Sequence, residues 1–505
     1  MLVAKNTEKR RPRTPPKSKP SGKSTNSCFS FQKFEASEQP ARNPLSTTHQ
    51  DLSSASTVLR QLINIPATKD LLDPELRINS QKVYTNGVTI WMLILQRLCK
   101  GATLVETVSH VLEHDRDLLP ENKRVRDHTL SESSSGFSAA RNRLTVEDVH
   151  AFSHAVCDYL GKTAQPIIDS RRVFMIDGTT ITLAPTPELG KAFPPATNQH
   201  GESVWPVAML MVAVEMQTGC ALLPQIDPMY GPDRTSEAKQ SAEIIKQLPE
   251  NSIVMADSGF GIYSVAYHST RAGHDFLFRL TKSRFSSMFK KATLVESGDG
   301  YSSYALTWKP SPKDRKSNPD LPKVTTLQVV LHCIKLDNGE SLYLVTSLEI
   351  DALSAAQLYS RRYDIEFDIR DMKVTMDAEN IRARSVEMMQ KELMASVIAF
   401  NLVMQFRRQA ATLARVEPRR LSFKGCWTSF KDHLLLKTEE DFESWEVRYA
   451  RALVSASKRK LPNRNKPRSY PRKAHPRRPK STKFMKAEAK KAANQTAPPP
   501  LLESK

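Results

Sequence analysis

The sequence predicts a mixed α/β fold in which a helix-flanked sheet follows an all-helical region and lies between two basic tails. Three observations lead there. Apolar residues recur at helical spacing from about residue 51 to 160, then give way to short apolar runs bounded by turn residues. Those runs follow the order three strands, helix, strand, helix, strand, helix, which is that of a ribonuclease-H-like core. Charge is segregated: of a net +20 over 505 residues, residues 1–23 hold eight lysines and arginines against Glu8, and residues 458–491 hold fifteen against Glu488. The chain outside those two segments is close to neutral.

Each element has its own warrant. Residues 1–50 and 446–505 are rich in Pro, Ser and Lys, bury no core, and read as disordered basic tails suited to salt-sensitive contact with a polyanion such as nucleic acid. Residues 51–165 read as an all-helical domain, on the periodicity of VTIWMLILQRL, ATLVETVSHVLEH and LTVEDVHAFSHAVCDYL; that it binds DNA is what the resemblance given below implies. RRVFMIDGTTITLAPT and VAMLMVAVEMQTGCALLPQI give three successive strands, SEAKQSAEIIKQL a helix, SIVMADSGF a strand, IYSVAYHSTRAG a helix and DFLFRLT a strand. The core then comprises 166–275 and 346–445. Between them, at 276–345, the strands YALTW, TTLQVVLHCI and ESLYLVTSL around the polar loop PSPKDRKSNPDLP read as a β-rich insertion.

Composition excludes several classes. The runs VTIWMLIL and WPVAMLMVAVEM are too short to span a bilayer, and no apolar segment follows the charged N-terminus, so the expectation is a soluble intracellular protein. Six scattered cysteines without a CxxC pair argue against a zinc ribbon and a disulfide framework.

The chemistry concentrates in acids. Asp177 ends the run VFMI and Asp257 the run SIVMA, and a carboxylate at the end of an apolar strand is poorly placed for packing. Either alone reads as a turn or capping residue. The segment LYSRRYDIEFDIRDMKVTM, taken as one regular helix, puts Tyr359, Arg362, Glu366 and Lys373 within an arc of about 60°. An apolar stripe of Leu358, Ile365, Ile369, Met372 and Met376 borders that arc. Asp364, Asp368 and Asp371 fall away from it, toward solvent, which leaves Glu366 as the acid that projects into a site. A salt-bridge-laced surface helix is the plainer alternative for this segment. If the two strands are neighbours, the three carboxylates meet. Such a cluster calls for bound cations, and hard oxygen donors favour Mg²⁺ or Mn²⁺.

The spacing Tyr359-x2-Arg362-x3-Glu366-x6-Lys373 resembles the Y-R-E-K signature of bacterial DDE transposases of the insertion-sequence-4 family. VYTNGVTIWMLILQRL, GFSAARNRL, KELMASVIAFNLV and RRLSFKG are similar to further segments of that family, so the resemblance covers roughly residues 80 to 430. It implies a catalytic triad of Asp177, Asp257 and Glu366 holding two divalent ions, Mg²⁺ or Mn²⁺, for cleavage of a phosphodiester at a transposon end and strand transfer into target DNA. It implies that Tyr359, Arg362 and Lys373 clamp phosphates, that Arg279, on a strand near the sheet edge, assists, and that Arg141 and Arg143 in the helical domain contact terminal inverted repeats. It further implies double-stranded DNA as partner, a homodimer in a synaptic complex, and a cytoplasmic, nucleoid-associated location in a bacterium. A catalytically inactive, transposase-derived DNA-binding protein is the alternative. A metal-dependent nuclease of the same fold without strand transfer is the third reading.

Other features have plainer readings. Trp308, in the insertion, either packs or stacks on a flipped base. HVLEH matches an inverted zinc-protease pattern at His110 and His114, but no third ligand is identifiable. His150 and His154 read as ordinary helix residues.

Overall fold

The computed structural model describes Leu62, Thr68 and residues 82–120, 122–162, 168, 171–198, 201–319, 321–435 and 442–462. The tail expected at 1–50, most of 51–81, and the basic tail beyond 462 lie outside the described residues. The first part is helical: α1 (Asn86–Leu98), α2 (Leu104–His114), a single turn α3 (Lys123–Arg126), α4 (Ser135–Arg143) and α5 (Val146–Gly161). Hydroxyl caps start three of them, Thr85, Thr103 and Thr145, and Thr103 with Glu106 forms a capping box. The segment GFSAARNRL, to which periodicity assigned no helix, forms α4.

A ten-stranded mixed sheet follows. Its elements in chain order are β1 (Val173–Thr182), α6 (Pro187–Ala192), β2 (Pro195–Asn198), β3 (Gly201–Glu215), β4 (Gln225–Pro228), α7 (Glu237–Lys246), β5 (Ile253–Ala256), α8 (Tyr263–Arg271) and β6 (Asp275–Arg279). Then come α9 (Lys282–Phe289), β7 (Thr293–Gly298), β8 (Tyr301–Trp308), α10 (Pro312–Ser317), β9 (Leu327–Lys335) and β10 (Ser341–Thr346). The strand order is β2-β3-β1-β5-β6-β10-β9-β8-β7, with β4 also on β3. β1, β5 and β6 run parallel to their neighbours in that trio, and the remaining pairs are antiparallel. The strands expected to form an insertion therefore lengthen the central sheet, because β10 pairs directly with β6. Arg279 accordingly lies on an interior strand, and the expectation of a strand near the edge is corrected. The polar loop contains α10, started by a Ser311–Asp314 capping box.

The chain then turns into α11 (Ala352–Tyr359), a 3₁₀ turn (Ser360–Tyr363), α12 (Asp364–Arg370) and a π-helical turn (Asp371–Thr375). It ends with α13 (Val386–Ala414), α14 (Phe423–Leu435) and α15 (Phe442–Ser457). α15 corrects the expected start of the C-terminal tail at 446. Trp445 and Tyr449 stack at 5.0 Å and are buried with Ala456, so this stretch has apolar surface to dock despite its charged neighbours.

Side chains alternate across the sheet with period two. Val173 and Met175 face a core shared with α1, α5, α13, α14 and α15, while Phe174 and Ile176 face a second core with α7, α8 and Trp308. Helices thus cover both faces. α13 runs through the first core: Asn401 brackets Ala221 with hydrogen bonds of 2.8 Å to its amide and carbonyl. No helix among the described residues is long and apolar enough to cross a membrane.

Candidate functional site

The two strand acids become neighbours through sheet register. β1 and β5 pair in parallel from Val173 with Ile253 to Met175 with Met255, and carrying that register on two residues brings Asp177 level with Asp257. β5 ends at Ala256, so Asp257 stands at its exit; its Oδ1 accepts from the Gly259 amide at 2.7 Å. Asp177 corrects one expectation, since β1 continues to Thr182 and the acid lies mid-strand. The second half of β1 pairs only with β3, and the shorter β5 leaves the flank of Asp177 open.

The third acid comes from the helical run after β10. Arg362 in its 3₁₀ turn donates to Glu366 Oε1 at 2.7 Å and to Asp177 Oδ2 at 2.9 Å, and lies 3.8 Å from Asp257 Oδ2. All three predicted carboxylates therefore meet on one guanidinium. Arg362 is buried, and its Nε has no hydrogen-bond partner. Lys373 reaches the same strand, donating to Thr179 Oγ1 at 3.0 Å and to the Thr180 carbonyl at 2.6 Å. Tyr359 closes the group from the end of α11 and is 8 % exposed. Arg279 is exposed at the end of β6, where its charge acts on the Tyr359 phenol.

Electrostatics follow from this packing. Burial pushes the Asp177 carboxyl up to about 6, against the pull of Arg362 and with further push from the charges of Asp257 and Glu237. Burial also pushes the Tyr359 phenol up to about 12, so at neutral pH it is a hydrogen-bond donor. Desolvation lowers Lys373.

The regular-helix assumption fails in one respect. Asp368, expected in solvent, is 1 % exposed and bound by Arg419 at 2.5 Å, with Arg419 also 3.5 Å from Asp364. Asp371 is mostly covered and accepts from the Thr375 hydroxyl at 3.1 Å. The 3₁₀ and π turns on either side of α12 change the angular step, so a 100° wheel misplaces the far face. The apolar stripe is buried as expected.

Arg141, expected to contact DNA, is placed in the interior. It is 8 % exposed and donates to Glu392 at 2.7 Å beside Arg97, which binds the same carboxylate. It is a largely buried cation held by Glu392. Arg143 is exposed and donates to the Tyr84 carbonyl at 2.7 Å. Trp308 is buried edge-on to Tyr263 at 5.4 Å, which is the packing reading. His110 lies 3.2 Å from the Asp115 carboxylate and its ring sits 4.9 Å from that of His114.

Glu237, the first residue of α7, escaped the sequence reading. Its carboxylate occupies the space beside Gly178 that a side chain there would enter, and its charge acts on Asp177. The signal was Ser236, a helix cap, followed by an acid opposite a strand glycine, legible only once the pairing of elements is known.

Among the described residues no three His, Cys, Asp or Glu side chains stand at metal-holding spacing as they are placed. The triad is nevertheless fitted to a cation, since it already gathers hard oxygen donors around one, the guanidinium of Arg362.

Residues 169–402 match the family described as Transposase DDE domain. A curated relative, transposase InsG for insertion sequence element IS4 of Escherichia coli (strain K12), is 25% identical over 293 residues, covering 56% of this chain and 63% of the relative. The match thus spans less than two thirds of that protein's own length. A cryo-EM structure of a piggyBac transposase synaptic complex with hairpin DNA is similar at a TM-score of 0.38 and 10% identity, covering 80% of this chain and 85% of that one. A likeness at that score carries no argument about the site.

Proposed function

The chain belongs with the DDE transposases of the insertion-sequence-4 kind, and from that premise we propose that it binds terminal inverted repeats of an insertion sequence and carries out DNA cleavage and strand transfer at Asp177, Asp257 and Glu366. One observation carries the reading: three carboxylates from β1, the exit of β5 and α12 converge on a single cation. β1, β3, β5 and β6 with their covering helices serve as the ribonuclease-H-like core, β7 to β10 as its insertion, and α1 to α5 as the DNA-binding region. Asp177, Asp257 and Glu366 would hold Mg²⁺ or Mn²⁺, two ions by the family's logic, which would supply Lewis-acid charge at the scissile phosphodiester and a more acidic water.

The chain's own residues do the positioning. Asp177, Asp257 and Glu366 hold the cations. Arg362, once released from the acids, and Lys373 and Arg279 neutralise phosphates flanking the cut, and the protonated Tyr359 donates a hydrogen bond to the same backbone. Tyr359 is no nucleophile in this reading, because attack by water and then by the liberated 3′-OH needs no covalent protein intermediate. Two ends must be joined, so the acting species is a homodimer in a synaptic complex on the bacterial nucleoid, with the basic tails adding sequence-independent affinity.

The test is cleavage of a labelled duplex carrying the element's terminal repeat, with Mg²⁺, Mn²⁺ or EDTA, by wild type and Glu366→Gln. Wild type nicks at the repeat boundary only with metal, and the variant binds without cutting. Equal binding with no cutting by either protein would instead establish a non-catalytic DNA-binding descendant, and cutting without joined donor–target products a nuclease.

A further inference from the structure

Apart from the carboxylate site, the described residues enclose a cleft of about 550 Å³ between the loop before α2, helix α4 and the start of α13. Four guanidinium groups line it, those of Arg97, Arg141, Arg382 and Arg384, against one carboxylate, Glu392. Glu392 forms the floor. It accepts from Arg97, from Arg141 at 2.7 Å and from the Arg382 amide at 3.2 Å, which leaves it no spare charge for the rest of the cleft. Arg141 keeps a buried Nε without a hydrogen-bond partner. At the mouth, Arg382 and Arg384 are exposed, and among the described residues neither guanidinium has an ion pair. Ser138 and Asn142 add neutral polar groups to the lining.

Like charges gathered around a concavity repel, and although Glu106, outside the lining, acts on Arg382, the four guanidinium groups still exceed the carboxylates near them, a surplus stabilised by an anion that can take several donors at once. A phosphate group is such an anion, and guanidinium is the side chain that matches it bidentately. The volume lies within the range of ligand sites. The cleft belongs to the same compact unit as the carboxylates, and Arg382 and Arg384 follow Lys373 in the chain by only a short stretch. We propose that this cleft grips the phosphodiester backbone of DNA beyond the reacting strand, as a sequence-independent clamp, with Arg382 and Arg384 as the gripping groups and Arg97–Glu392–Arg141 as their rigid support. This rests on the DNA reading above. A free phosphate or pyrophosphate offers the same chemistry, and the experiment separates the two sources.

The full-length chain is titrated with a fluorescent duplex carrying the terminal repeat, and with a scrambled duplex, over a range of salt. Arg382→Gln/Arg384→Gln is compared with Lys290→Gln/Lys291→Gln, an equal change of charge at exposed positions after α9. Melting temperatures check that each variant folds. Loss of two phosphate contacts flattens the slope of log K against log salt by about 1.8 and weakens both duplexes about equally, whereas the control pair leaves the slope unchanged. An unchanged slope in the Arg382/Arg384 variant, or the same change in the control, overturns the clamp. In a second arm pyrophosphate is titrated by calorimetry. Binding that the double variant loses, with duplex affinity intact, assigns the cleft to a free anion and overturns its role on DNA. A wild type that binds no duplex ends the DNA reading as a whole, while failure of the cleavage assay alone leaves the clamp standing.

Discussion

Replacing Arg362 by Gln removes the one positive charge on which the three carboxylates converge, at 2.7 Å from Glu366, 2.9 Å from Asp177 and 3.8 Å from Asp257. A divalent ion taking those oxygens stands beside the guanidinium, and the two cations repel. At about 4 Å, a unit and a double charge oppose each other by about 2 kcal/mol even at the dielectric of water, and by more at a partly buried site. Swinging the guanidinium aside relieves part of this, at the loss of its ion pairs. Arg362→Gln is therefore expected to bind Mn²⁺ about 3- to 30-fold more tightly than wild type in the absence of DNA. The assay is a Mn²⁺ titration at pH 7.5 by calorimetry or by free-Mn²⁺ paramagnetic resonance. The same variant melts lower than wild type without metal, because three like charges are left facing one another, and gains more on adding Mn²⁺. Unchanged or weaker Mn²⁺ affinity in a folded variant would refute the reasoning, since Arg362 would then assist the cation instead of standing in its place.

Three further outcomes are expected. Burial holds the His332 and His433 imidazoles down at about 4, so their neutral forms stabilise the fold above the unfolded value of 6.5, and that stabilisation drains away as pH falls from 6.5 toward 4, by up to about 3 kcal/mol each. His332→Gln flattens that acid limb in urea unfolding followed across pH, and an unaltered limb counts against it. Glu392→Ala strands two buried guanidinium groups and is expected to lower stability by about 3–5 kcal/mol, with Glu392→Gln milder, as read from urea midpoints. Trp308→Ala empties part of the second core for about 3–5 kcal/mol, while Trp308→Phe keeps the cleavage pattern of wild type; a changed pattern in Trp308→Phe would mean that the indole meets DNA.

The acids and their signature were legible because their chemistry is at odds with their surroundings: carboxylates against apolar strands, and a spacing that four residues on one arc enforce. That the two strands are neighbours stood only as a condition in the sequence; the parallel β1–β5 pairing, in the register that levels Asp177 with Asp257, meets it. What escaped depends on contacts between distant segments. Arg141 reads as an exposed basic residue until Glu392, far along the chain, is brought against it. Asp368 reads as solvated until Arg419 covers it, and no wheel drawn at one angular step survives a 3₁₀ turn followed by a π turn. The inserted strands were each recognisable from alternation, but that they would extend the main sheet rests on the β6–β10 pairing, which no local pattern encodes. The same holds for α15, whose charge matches the tail while Trp445 and Tyr449 belong to the core.

Helix α13 spans 29 residues, about 43 Å of rise. Near its start Glu392 ties down the arginines of α1 and α4, and farther on Asn401 is fixed to the backbone at Ala221 beside β3. Both attachments depend on angular phase as well as distance. Deleting one residue between positions 392 and 401 would turn one attachment by about 100° relative to the other, so that one of them must break. Length variation among relatives should therefore be barred from that interval and gather instead in exposed turns such as 337–339, between β9 and β10, where an added residue changes no helical phase.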